Sequence, residues 1–489
     1  MKTNEEEGIE GKTFVVTGGM GFVGATLCLE LIRKGAREVR ILDLVCSSPS
    51  SCLLSQPAVV CILGDITHEE NVKTALQGAD CVFHIASFGN SGKEMLQTRR
   101  IHEVNIEGTR IILDVCLEFK IKRLVYVSTY NVVFGGKEIV NGDENLPYIP
   151  PHQHISPYAR SKAFAERLVL SYNAKPFREN GGCLYTCAVR PAAVYGAGEV
   201  KTFPWIINYA KLRLLLFKVG DSSVKTDWIY VDNLVHGLLL ASMGLLHEFP
   251  DKENHPIAAG NSYFISDGFP VNTFEFIQPL LDSLEYGQPG ASLTVPCAFA
   301  FGKICWVFYT ILYPFLNVSW LPQPLILPAD VYQVGVTHYF CQKKAREELG
   351  YVPRVSPQEG MSIMISYWRH QKKNSLDCPS IYPWIFCVCG LSGLFAINFL
   401  PNVGPITLLN DIALFIFRST RNIQIFSSIV AVAHTSEATF AWFLAKKVDR
   451  TNAKGWFWQT LLLATFSLRL LLKRAGPKTE QNTEKLLSN

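Results

Sequence analysis

From residue 12 to about residue 196, short β-branched runs alternate with amphipathic stretches: TFVVTGG, VRILDLV, AVVCILGD, CVFHIAS, RLVYVST and YTCAVRP. Apolar strands separated by helix-length segments predict a parallel sheet covered on both faces, a doubly wound α/β domain. The stretch IHEVNIEGTRIILDVCLEFK has apolar residues at helical spacing and predicts the helix joining the fourth strand to the fifth. From about 203 to 368 the pattern is less regular and richer in Pro and Gly, which suits a smaller lobe covering a substrate. Inside that lobe, residues 295–316 read VPCAFAFGKICWVFYTILYPFL, long enough to cross a bilayer. Lys303 and Pro314 interrupt the run, so a helix or lid lying at the membrane surface is an equal expectation.

Beyond WRHQKKNSLDCPS, apolar segments follow at 381–400, 406–417, 425–445 and 456–472. Three approach a spanning length; the second is short and carries Asn410 and Asp411, which suits a re-entrant or interfacial piece. Trp456 and Trp458 read as interfacial anchors of the last segment. Arg369, Lys372 and Lys373 ahead of the first segment place the preceding domain in the cytosol by the positive-inside rule, while the basic loop KKVDRTNAK contradicts an even four-span alternation. The span count and topology therefore stay open. The expected division is a polar tail 1–11, a nucleotide-type domain 12–202, a lobe 203–370 with its apolar segment 295–316, a linker 371–380, a transmembrane helical module 381–475 and a polar tail 476–489.

Composition sharpens this reading. The 489 residues are 48% hydrophobic and only 18% charged, more apolar than an average soluble protein, so part of the chain belongs in or on a membrane. A net charge of +4 with no basic cluster interleaved with aromatics makes nucleic acid a poor candidate partner, and none is expected. The fourteen cysteines are scattered through apolar stretches without zinc spacing and read as reduced core residues of a cytosolic domain. The histidines are dispersed, and no metal site is expected. His84 fits the end of the fourth strand, as a packing or cofactor-contact residue rather than a ligand.

TGGMGFVG follows the first strand and opens a helix, with Gly18, Gly21 and Gly24 spaced for a tight turn, close approach of a pyrophosphate and close helix–strand packing. Asp43 ends the second strand nineteen residues after Gly24, where its carboxylate would accept ribose hydroxyls and repel a 2′-phosphate. NAD is preferred over NADP. Asp65, followed by Ile66, would bracket the adenine, although a strand-ending turn explains Asp65 nearly as well.

SPYARSKAFAE places Tyr158 and Lys162 four apart, on one helix face. A phenol of ordinary pKa near ~10 is a poor base, but a neighbouring ammonium favours the phenolate, which then takes a substrate hydroxyl proton as hydride leaves. A lone pair of this spacing is usually an ordinary helix surface; here the glycine loop about 140 residues upstream, in the correct strand order, changes that weight.

Together, TGGMGFVG, GDI, HIAS, NIEGT, YARSK, RPAAVYG and DWIYVDN resemble the extended short-chain dehydrogenase/reductases, most closely their 3β-hydroxysteroid dehydrogenase/isomerase branch, and VSTYNVVFGG with NGDENLPYIP resembles its 42E members. The resemblance covers about 12–368 and implies a Rossmann-type fold. It implies cofactor contacts from Gly18, Gly21, Phe22, Val23, Gly24, Asp43, Asp65, Ile66, Ala86, Tyr158, Lys162 and Pro191, with Tyr158 as proton acceptor and Lys162 as its partner. It further implies that Asn105 supports the lysine through water, and that residues 190–196 line the nicotinamide and substrate crevice. The last helices resemble, more loosely, a small family of uncharacterised membrane proteins.

One position departs from the resemblance. Relatives carry Ser or Thr where this chain has Tyr130, to hydrogen-bond the substrate oxygen. Thr129, presented by a bulge or early turn, is expected to supply the hydroxyl, with Ser128 second and Asn131 also in reach; otherwise Tyr130 is a packing residue. The resulting expectation is an NAD-dependent dehydrogenase of a 3β-hydroxysteroid or sterol, a multi-pass protein of the endoplasmic reticulum. Its partners are a lipophilic small molecule and membrane lipid, with a homodimer left open. The alternatives are an enzyme of flavonoid-like ketones or nucleotide sugars, and a membrane scaffold that binds dinucleotide without turnover.

Overall fold

The computed structural model describes residues 8–46, 51–178, 182–246, 255–287, 289–313 and 323–475. The chain forms two compact units, one of Met1–Phe203, Phe217–Leu280 and Pro289–Met364, the other of Pro204–Leu216, Leu281–Gln288 and Ile365–Asn489.

The first unit is built on strands β1 (Thr13–Thr17), β2 (Glu38–Asp43), β3 (Val59–Leu63), β4 (Cys81–His84), β5 (Arg123–Val127), β6 (Ile139–Gly142) and β7 (Lys175–Pro176). It continues with β8 (Cys183–Pro191), β9 (Ala193–Tyr195), β10 (Phe217–Val219), β11 (Trp228–Tyr230), β12 (Ser262–Ile265), β13 (Ala291–Leu293) and β14 (His338–Phe340). Seven strands form a parallel sheet in the order β12-β8-β5-β4-β1-β2-β3, and the short β7 pairs antiparallel with β8. Because successive side chains alternate faces, Phe14 and Val16 join a core with Phe83, Val125, Leu27 and Leu31, while Val15 joins a second core with Val82, Leu124, Ile112 and Leu113. Both faces are thus dry, as a parallel sheet requires.

The strand order reverses between β1 and β4, and the register sets Thr17 beside both Leu42 and His84, so the three strands end at one level. A ligand crevice forms at such a reversal, because the loops on either side diverge to opposite faces of the sheet. Smaller parallel pairs build the lobe: β9 with β11, β6 with β14, and β10 with β13.

Three details depart from the sequence expectation. The segment read as one helix is Thr98–His102, a π-helical turn at Glu103–Glu107, and then Gly108–Glu118. Such turns insert one residue into a helix and are frequent at functional sites. The cysteines are not all reduced: Cys46 and Cys61 form a disulfide. The parallel register of Asp43 against Leu63 returns the loop after β2 to its neighbour β3, a proximity that the spacing in sequence does not reveal. Cys28, Cys116 and Cys187 are buried free thiols pushed above the usual range by burial, and Cys81 is pushed to about 11 by the same cause.

The third concerns the second unit, whose helices include Ile381–Phe399, Pro405–Phe417, Thr420–Val448, Ala453–Leu463 and Thr465–Ala475. The segment expected at 456–472 is broken at Ala464, which holds φ at 46°. Each half has 11 residues, about 16 Å long, too short for the roughly 30 Å of a hydrocarbon core. Trp456 is likewise no interfacial anchor: it is fully buried, its indole donating to Asp449 at 2.9 Å, whereas Trp458 is exposed. Among the described residues, Val295–Leu312 and Ile381–Phe399 are the helices long and apolar enough to cross a membrane. Pro314 to Leu316, the end of the apolar run in the lobe, lie outside the described residues.

Candidate active site

β1 delivers the glycine loop. Gly18 sits at φ +69°, and a Cβ there would come within 2.9 Å of the Ala86 backbone, so only glycine lets the loops after β1 and β4 meet. At Gly24 a Cβ would lie 2.2 Å from the Gly18 carbonyl, so glycine here lets the helix Phe22–Arg33 start against the strand turn. Gly21 is the helix N-cap and has no side chain to fill the space before the first amides; Phe22 and Val23 form that first turn. A bare backbone amide cradle at a helix N-terminus suits a pyrophosphate. Asp43, at the end of β2, accepts the Met20 amide at 3.0 Å and so holds its carboxylate beside this loop. These residues fit a dinucleotide.

Asp65 accepts the Thr67 amide at 2.9 Å and Arg100 at 2.6 Å. Burial opposes its charge, but those two partners outweigh it and hold its pKa below the ordinary value. Ile66 is buried in the second core beside Gly108. Pro191 closes β8, opposite Ile265.

Tyr158 and Lys162 lie on the helix Pro157–Ser171, which starts here because Ser156 caps the Ala159 amide at 3.1 Å and Pro157 pre-sets the first turn. Lys162 is 1% exposed; its ammonium donates to the Val127 carbonyl at 2.5 Å and stands 4.1 Å over the Tyr126 ring. Burial lowers its pKa to about 7, with the Glu166 charge opposing. Burial raises the Tyr158 phenol to about 12, and a hydrogen bond with Ser87 works in the other direction.

Asn105 is presented by the π-helical turn. It accepts the Phe88 amide at 2.8 Å and donates to the Phe88 carbonyl at 2.9 Å and to the Ser161 hydroxyl at 2.8 Å. Ser161 in turn donates to the Tyr158 carbonyl at 2.8 Å. The expected partner of the lysine thus clamps the loop after β4 to the turn that carries Tyr158. His84 is buried between the Thr17 and Thr109 hydroxyls, 2.8 Å from each, and burial lowers its pKa to about 3, so it is a neutral tie between strand and helix.

The turn after β5 is occupied elsewhere. The Ser128 hydroxyl donates to Glu166, and Thr129 accepts from the Asn131 amide at 3.3 Å, capping a single 3₁₀ turn. Both are under a tenth exposed. Tyr130 packs among Phe134, Phe340 and His338, its ring centroid 4.9 Å from that of His338. Two residues that sequence reasoning missed emerge here. Glu166, fully buried, gathers Ser128, Tyr148 at 2.7 Å and Arg190 at 2.6 Å; its one visible signal was its position one turn beyond Lys162. Ser87 ends HIAS, a motif whose last residue was not weighed.

Comparison with known proteins places the chain in a family. A short-chain dehydrogenase/reductase family 42E member 1 of Danio rerio is 40% identical over 363 residues, 74% of this chain and 90% of that one. A 3-beta-hydroxysteroid dehydrogenase of Mycolicibacterium neoaurum is 33% identical over 358 residues, 72% of this chain and 90% of that one. The crystal structure of a double mutant of DesIV, a dTDP-glucose 4,6-dehydratase of Streptomyces venezuelae, superposes with a TM-score of 0.54 at 22% identity, covering 73% of this chain and 97% of that one, and shares the fold. Residues 382–473 match the transmembrane protein 254 family. Residues 15–295, more than half of the chain, match the 3-beta hydroxysteroid dehydrogenase/isomerase family, and to that family of extended short-chain dehydrogenase/reductases, as a 42E-like member, the chain belongs.

Proposed function

We propose that the chain is a membrane-associated, NAD-dependent dehydrogenase of a hydrophobic secondary alcohol, in the first place a 3β-hydroxysteroid or sterol. The observation that carries the reading is Tyr158 with Lys162 on one helix, clamped through Asn105 to the loop that meets the dinucleotide turn. NAD, when bound, supplies the hydride acceptor. Gly18, Gly21 and Gly24 would hold its pyrophosphate and Asp43 its adenosine ribose. The chain's own work is acid–base: Tyr158 takes the proton of the substrate hydroxyl, and the Lys162 charge lowers the cost of the phenolate. Burial holds the phenol above its ordinary value and Lys162 at about 7, so rising pH forms phenolate while discharging the lysine that stabilises it, and oxidation is expected to pass through a maximum above neutrality.

A lipophilic substrate is supported by the helix Val295–Leu312, which exposes Ile304, Trp306, Val307, Phe308 and Ile311, and by the apolar helix Ile381–Phe399. A polar sugar gives no reason for such surfaces, although dehydratases and epimerases of sugars share the fold. The endoplasmic reticulum and a cytosolic active site follow from the substrate class and from the basic residues before 381.

The test is NADH formation by detergent-solubilised full-length protein with a panel of 3β-hydroxysterols. Signal lost in Tyr158→Phe is the expected result; NAD binding without turnover of any alcohol would leave a dinucleotide-binding scaffold instead.

A further inference from the structure

In the Ser/Thr position that Tyr130 occupies, the site has no small hydroxyl, and its two neighbours are engaged in the turn: Ser128 donates to Glu166, and the buried Thr129 oxygen accepts from the Asn131 backbone and side-chain amides. The loop after β4 offers another. Ser87 is exposed, while Ser128 and Thr129 are buried. It is held from both sides: the Thr17 hydroxyl accepts the Ala86 amide at 3.2 Å, and Asn105 grips both the amide and the carbonyl of Phe88. The same Asn105 reaches Ser161, which fixes the turn bearing Tyr158. On its other flank, Ala86 is packed against Gly18 of the dinucleotide loop.

We infer that Ser87 is the catalytic hydroxyl of this enzyme, donating its one hydrogen to the Tyr158 oxygen before proton transfer and to the alcohol oxygen during it, in the role left open at Tyr130. The inference rests on the dehydrogenase reading. In the step, the substrate O–H bond would break with its proton going to the Tyr158 oxygen, and the carbinol C–H electron pair would pass as hydride to NAD held by the glycine loop, so that alcohol and NAD become ketone and NADH. Ser87 exchanges no atom: it donates to the phenolate before transfer and to the oxygen that carries charge during it. A hydrogen bond to the charged form favours that form, consistent with the downward pull of Ser87 on the phenol. Because the donor sits on a clamped loop rather than on a free surface, little reorganisation is needed as charge develops.

The experiment uses the full chain in detergent with NAD and the best alcohol of the panel, comparing Ser87→Ala, Ser87→Thr, Thr129→Val, Ser128→Ala and Tyr158→Phe. Ser87→Ala should lower kcat by about 10²-fold, shift the kcat–pH profile to alkaline pH and leave NAD binding unchanged, and Ser87→Thr should restore much of the loss. A second readout needs no turnover: the Tyr158 phenolate, isolated in the NAD complex as the absorbance titration lost in Tyr158→Phe, should move to higher pH in Ser87→Ala. Unchanged kcat, profile and titration in Ser87→Ala, with Tyr158→Phe inactive, overturns the role of Ser87 and leaves the dehydrogenase standing; so does a larger loss in Thr129→Val. If no alcohol turns over, the dehydrogenase reading falls, and an unmoved phenolate titration then overturns Ser87 while a shifted one supports its bond to Tyr158.

Discussion

Glu166 shows how much of this site is held by a residue that does not face the reaction. Its carboxylate is fully buried and satisfied by Ser128, Tyr148 and Arg190, which tie the end of β5, the loop after β6 and β8 to the helix of Tyr158. Removing a carboxylate from such a set leaves Arg190, whose second terminal nitrogen already has no hydrogen-bond partner among the described residues, as an uncompensated buried cation. Glu166→Gln is therefore expected to destabilise the first unit by about 3–5 kcal/mol, read as a lower thermal midpoint of NAD-free protein. Glu166 also lies one turn from Lys162 and opposes the effect of burial on it, so the variant should lower the lysine's pKa further. A wild-type midpoint in Glu166→Gln would show that the pair can be dispensed with.

At the scale of elements, the break between Ala453–Leu463 and Thr465–Ala475 stands out. Ala464, at φ 46° and ψ −129°, occupies a region that glycine enters freely and alanine does not. The turn persists because both sides are fastened: His434 meets the Leu461 carbonyl at 2.8 Å, Thr465 donates to Glu437 at 3.0 Å, and Thr460 donates to Ser467 at 2.9 Å. Ala464→Gly is expected to relieve the strain and raise the unfolding midpoint of the module in detergent, a gain of about 1 kcal/mol. A lower midpoint would mean that the entropy of glycine outweighs the strain. The same logic governs the π-helical turn at Glu103–Glu107, where an irregularity in a helix is what aims Asn105 at Phe88.

For the whole molecule, the proposed function raises the question of how a lipophilic alcohol would reach Tyr158. The helix Val295–Leu312 keeps Ala298 and Gly302 against the lobe, where a Cβ on Gly302 would approach Leu327 at 3.2 Å, and turns Trp306, Phe308 and Ile311 outward. An apolar face of this kind, on a chain that also carries the helix Ile381–Phe399, is suited to lie in lipid. Trp306→Asp with Phe308→Asp should lower turnover of a sterol presented in vesicles by about tenfold, while a short water-soluble alcohol is oxidised at an unchanged rate. Equal loss on both substrates would assign the face to folding rather than to substrate entry.

The sequence by itself determined the parallel sheet, the dinucleotide turn and the Tyr158–Lys162 pair, because each is a local property: periodicity within a strand, backbone freedom at spaced glycines, and one helix face at four-residue spacing. Its resemblance to the family also showed that position 130 lacks the small Ser or Thr hydroxyl usual there. The tertiary structure decided what lies around that gap. Ser128 meets a carboxylate 38 positions away and Asn105 meets a backbone 17 positions back, while the disulfide of Cys46 and Cys61 follows from the pairing of two strands. Trp456 turns inward because Asp449 receives its indole, and the last helix breaks at a residue whose composition carries no sign of it. Which hydroxyl is free is a matter of hydrogen-bond satisfaction across the fold, and that satisfaction is fixed only when distant strands and helices are brought together.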